Sequence, residues 1–247
     1  SDETIAEKLN HNPYTFLHII NPDYKSNIKT SGIQKFNLVK KKFNQFINED
    51  VLKKDSSENY YIYQKQNELN KFTGIIAACS VDDYLENKIK KHEQTLSKRE
   101  KMFCEYLDTT GFNAEPVLLS HETSAEIKKI LQEYTKKRPE YEFTTTNKSL
   151  HKLWVVNDQA DIRDITNAFK NIESLYIADG HHRCASSALL SKNNNNAHKS
   201  YFMSYLIDEN QLKILNFNRL IKNINGLQPN TLLEKIKEKY DVIKKEK

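Results

Sequence analysis

The chain is short of cysteine, glycine and proline, and it has no long apolar run. Its three cysteines, Cys79, Cys104 and Cys184, form no CxxC pair and no closely spaced framework. That pattern argues against a disulfide scaffold and fits a reducing cytoplasm. No apolar stretch nears the ~18 residues that a membrane helix needs. The opening SDETIAEKLN is polar and acidic, unlike a signal peptide. No period of about 20–50 residues recurs, which excludes a solenoid. With only five glycines and five prolines, the place of each glycine is informative.

What is present is a lysine-rich, asparagine-rich chain of 247 residues, 38% hydrophobic and 29% charged. That is enough to bury a core. The formal net charge of +5 and a pI near 8.8 permit an anionic ligand without requiring nucleic acid. There is no arginine-rich stripe, so a nucleic-acid partner is not expected. The run at Lys40, Lys41 and Lys42 and the terminal KKEK read as solvated faces.

Hydrophobic periodicity alternates between the two regular types. Residues 1–10 and 33–52 repeat at the helical period, with Phe36, Val39, Phe43, Phe46 and Ile47 in the second. Residues 14–20, YTFLHII, are aromatic and β-branched and read as a strand. YYIYQKQ (60–66) and FTGIIAACS (72–80), separated by a polar turn, read as an antiparallel pair. Two capping boxes, Ser97 with Glu100 and Thr123 with Glu126, announce helices, and Asp161 is expected to cap a third. Residues 114–120, 141–146, 150–156, 175–179, 200–207 and 212–221 read as strands, and 231–240 as an amphipathic helix. Residues 193–196 read as a polar loop. This mixture predicts an α+β (mixed α/β) fold over 1–247.

The stretch YIADGHHRCASSALL (176–190) places a glycine between an acid and three basic side chains, just where a helix begins. A strand–turn–helix of this kind exposes amides at the helix start, where dipole and free N–H groups hold phosphate or carboxylate. Arg183 can make a two-pronged contact with an anion. His181 or His182 can donate to an oxyanion or move a proton. Asp179 can accept a hydroxyl proton or help hold Mg²⁺ with a nucleotide. The plainer alternative is that Asp179 caps the helix, Gly180 makes the turn and the basic residues are solvated. A second polar cluster, HEQT, supplies His92, Glu93 and Thr95, with Glu93 as base or metal-holding carboxylate and Thr95 as a phosphate contact; its plain reading is a charged approach to a helix. No dedicated metal site is expected. HEQTL lacks the second histidine of HExxH, and adjacent helical histidines point about 100° apart.

The segments NPYTFLHII, YYIYQKQ, FTGIIAACSVDDYLENKIKKHEQTLSKRE, AEPVLL, YIADGHHRCASSA and LNFNRLI together resemble, in order, a widespread bacterial and archaeal domain-of-unknown-function family. That family is similar to the archaeal free-serine kinase and distantly resembles the ParB/sulfiredoxin superfamily. The resemblance implies a ParB-like nucleotide-binding core, a mixed sheet with flanking helices. Asp179, Gly180, His181, His182 and Arg183 match one signature, and His92, Glu93 and Thr95 match the other. It implies a phosphotransferase that uses ATP or ADP with Mg²⁺ on a small hydroxyl-bearing metabolite such as free serine. Asp179, Glu93 and His182 would be catalytic, and Gly180, His181, Arg183, His92 and Thr95 would bind nucleotide. The alternative is a non-catalytic, ParB-like nucleotide- or DNA-associated regulatory module. Relatives usually start earlier and run further, so the chain is expected to be an internal fragment of a longer family domain.

Overall fold

Tyr60–Gln66 (β1) and Lys71–Ser80 (β2) form the expected hairpin, with Ile62 opposite Ile75. A computed structural model describes residues 2–26, 29–193, 197–214 and 223–243. The chain divides after Leu212 into two units, Ser1–Leu212 and Lys213–Lys247. In the first unit, Ile89–Lys90 (β3), Val117–His121 (β4), Tyr141–Thr144 (β5), Leu150–Val156 (β6), Leu175–Asp179 (β7) and Tyr201–Asp208 (β8) join the hairpin. The sheet order is β3-β7-β4-β8-β2-β1-β6-β5. Parallel pairing occurs at β3/β7 and β4/β8, and the other neighbours are antiparallel. This mixed sheet with its helices is the α+β class expected.

Alternation puts one residue of each central strand into a single transverse row: Trp154, Ile62, Ile75, Leu206, Leu119 and Ile177. Every one is at most 4% exposed. Two core clusters grow from the row. Val81–Leu85 (α4) and His181–Lys192 (α8) pack around Leu119, Ile177 and Leu206. Ala125–Lys136 (α6) and Gln159–Lys170 (α7) pack around Ile62, Ile75 and Trp154. On the opposite face, Tyr205, Tyr63, His151 and Phe143 form a chain of ring contacts. Gly74 is obligatory beneath it, because a Cβ there would meet the Leu206 carbonyl at 2.3 Å.

A third cluster joins Leu17–Ile20 (α2), Gly32–Asn48 (α3) and Ser97–Thr110 (α5) through Ile19, Val39, Phe46 and Tyr106. Here the strand expected over 14–20 is corrected to the short helix α2. Its turns close through the amides of His18 and Ile19 onto Thr15 and Phe16 carbonyls, and Ile19 is fully buried. The caps also move. Leu96, not Ser97, is the N-cap residue of α5 and makes no side-chain cap bond. Ser124 rather than Thr123 caps α6, accepting from the Ile127 amide, and Asp158 rather than Asp161 caps α7. Asp2–His11 (α1) fulfils the N-terminal reading. In the second unit, Pro229–Lys237 (α9) is the expected amphipathic helix. Most of the strand read over 212–221, residues 194–196 of the polar tract and the KKEK tail lie outside the described residues. Among those described, no helix is long and apolar enough to cross a membrane.

Candidate active site

Sheet topology brings the two polar motifs together. β3 runs parallel to β7, so the loop after β3 and the turn after β7 leave the sheet at the same edge. β4 runs antiparallel to β7 with Leu118 opposite Asp179, so the residues entering β4 arrive beside that turn. The ladder shifts register between Leu118 and Leu119, an irregularity common next to functional sites.

Gly180 is the N-cap residue of α8, with φ 101° and ψ 27°. An L side chain is strained there, and an added Cβ would lie 3.1 Å from Arg183 Nε. Arg183 therefore folds back over its own turn. Its Nη2 meets Asp179 Oδ2 at 2.5 Å, and its Nη1 donates to the Pro116 carbonyl at 2.5 Å and pairs with Glu115 Oε2 at 3.1 Å. Asp179 does not cap the helix, which has no side-chain cap bond. The guanidinium expected as an anion clamp sits at the turn with two carboxylate partners of its own.

The amides of Arg183 and Cys184 make the first internal bonds of α8, to the Gly180 carbonyl. Those of His181 and His182 precede them, in the positive end of the helix. The two imidazoles point away from each other, as helical neighbours must, yet both hold one loop. His181 Nε2 accepts from the His92 amide at 3.5 Å, and His182 Nε2 accepts from the Leu96 amide at 3.2 Å. An accepting Nε2 is unprotonated, which leaves the proton of a neutral ring on Nδ1. His181 Nδ1 then faces Glu93 Oε2 at 3.5 Å, and the His92 ring stands edge-on to it at 4.4 Å. Burial, with His92 beside it, holds the His181 imidazole below its ordinary pKa. Glu93 is 57% exposed, whereas His181 is 5% exposed. Thr95 turns elsewhere and donates to the Glu100 carboxylate at the start of α5.

The whole of this chain, residues 1–247, matches a family described as protein of unknown function (DUF1015). The chain belongs to the DUF1015 family. Neither the curated proteins nor the solved structures gave a match.

In this DUF1015 chain the structure unites His92, Glu93, Asp179, Gly180, His181, His182 and Arg183 at one sheet edge and directs Thr95 to α5. Two participants escape sequence reasoning. Glu115 and the Pro116 carbonyl reach Arg183 only because β4 lies next to β7. The sole sequence signal is an acid at the start of the strand read over 114–120. Among the described residues no group of three or more His, Cys, Asp or Glu could hold a metal ion. Mg²⁺ normally relies on one or two carboxylates plus substrate phosphates; of the carboxylates at this turn, Glu93 faces His181 and Asp179 is engaged by Arg183.

Proposed function

We propose that this chain binds ATP or ADP with Mg²⁺ at the Gly180 turn and transfers a phosphoryl group to a small hydroxyl-bearing metabolite such as free serine. One observation carries the reading: two polar motifs, 89 positions apart in the chain at the His92–His181 contact, converge on the first turn of a 12-residue helix. Such a turn offers amides and partial positive charge to phosphate oxygens. Phosphoryl transfer asks mainly for positioning and electrostatics, and the bound nucleotide would supply the phosphoryl group and its ion. Glu93, exposed and steered by the His181 Nδ1 proton, is the carboxylate free to accept the hydroxyl proton. Asp179 orients Arg183 instead. His182 fixes the loop that carries Glu93, and Arg183 balances phosphate charge.

Thermal unfolding tests binding. Ligand at about 100 times Kd adds roughly 2.7 kcal/mol, and Arg183→Ala removes most of that gain. No shift with ATP or ADP plus Mg²⁺ would end the proposal. Serine-dependent release of ADP or AMP tests turnover. A second reading, a non-catalytic nucleotide- or DNA-associated module, draws support from the imidazoles and Arg183 already having internal partners. It expects nucleotide binding without acceptor-dependent release, and any DNA binding to be steeply salt-sensitive.

A further inference from the structure

Arg183 has three oxygen partners, and they are not equivalent. Both carboxylate side chains are largely exposed, 71% for Asp179 and 76% for Glu115, but Asp179 and the Pro116 carbonyl each lie 2.5 Å from the guanidinium, whereas Glu115 lies at 3.1 Å. Its neighbour Pro116 fixes the same Nη1, so the chain entering β4 delivers this carboxylate to an edge of the guanidinium that is already oriented. Two carboxylates on one guanidinium leave an excess negative charge at the turn. An exposed ion pair is weak and yields readily to a competitor, and phosphate binds a guanidinium edge in two-pronged fashion.

We infer that Glu115 is an autoinhibitory counter-ion, occupying the edge of Arg183 that an incoming phosphate takes over. The inference rests on the nucleotide-binding reading above and adds its regulation: phosphate affinity is set by displacement of Glu115. The Glu115 side chain is largely exposed, so its replacement is expected to leave the fold intact.

Titration calorimetry of wild type, Glu115→Gln and Glu133→Gln with ATP plus Mg²⁺, and separately with inorganic tripolyphosphate, tests it. Glu133 is paired with Lys136 on α6 and controls for the change in net charge. Glu115→Gln is expected to bind both probes about two- to fivefold tighter than wild type. Glu133→Gln should match wild type, and the gain should shrink at high salt. Binding by wild type with no tightening in Glu115→Gln, or equal tightening in Glu133→Gln, overturns the inference and leaves the nucleotide reading standing. Binding by none of the three proteins overturns the reading and the inference together.

Discussion

Alanine at position 180 would test the turn on which the site depends. The backbone there has φ 101°, and an L residue in left-handed space costs about 1–2 kcal/mol. The new Cβ would also lie 3.1 Å from Arg183 Nε and 3.3 Å from Cζ and Nη2. Arginine is flexible, but this one is tethered by Asp179 and Pro116, so moving it loosens contacts worth up to about 1 kcal/mol. The sum is a loss of about 1–3 kcal/mol, or about 2–12 °C in Tm for a chain of this length. Urea and thermal unfolding followed by circular dichroism would measure it. In an Arg183→Ala background only the backbone part, about 1–2 kcal/mol, should remain. A Gly180→Ala variant within about 0.5 kcal/mol of wild type would refute the strained turn. An undiminished cost in the Arg183→Ala background would refute the contact with the guanidinium.

Because folding favours the neutral form of His181, the stability this group adds is complete above its ordinary value of 6.5 and is lost as pH falls from there through the lowered native value. Tm measured downward from neutral pH should fall in that window, and His181→Gln should flatten the slope; identical slopes would discard the buried imidazole. Leu119→Ala, at a fully buried position, should cost about 2–5 kcal/mol. Leu69→Ala, at a position 87% exposed, should stay within about 0.5 kcal/mol, and similar losses at both would contradict the transverse row. Burial pushes the Cys184 thiol up to about 12 and Cys79 to about 11, so a thiol-specific reagent should react with neither until the chain unfolds. Fast native labelling of Cys184 would contradict its place on the buried face of α8.

Much of the architecture was legible because periodicity and burial agree. The β1/β2 pair alternates with Ile62 buried between half-buried tyrosines, and the amphipathic helices α3, α6 and α7 stand where apolar residues repeat at the helical period. Residues 14–20 misled because their composition favours a strand in isolation, whereas Ile19 finds Val39 and Phe46 only once α3 is folded. Cap positions slipped by one to three residues because Thr123, Ser124, Asp158 and Asp161 all offer acceptors of the right kind. Both motifs of the site could be read from their residue types. Their meeting could not, since it depends on β3 lying parallel to β7, and no local pattern encodes that. The partners of the histidines are backbone amides, which carry no residue signature at all.

The strand β3 is two residues long. The segment carrying His92 and Glu93 is thus moored to the sheet's margin by a very short ladder and, beyond it, by two imidazole acceptors. The central strands are held over many rungs and buried beneath helices. Opening energies within one protein span from near zero to the global value, and this margin belongs to the low end. Local opening can therefore peel back that margin while the hydrophobic interior stays closed.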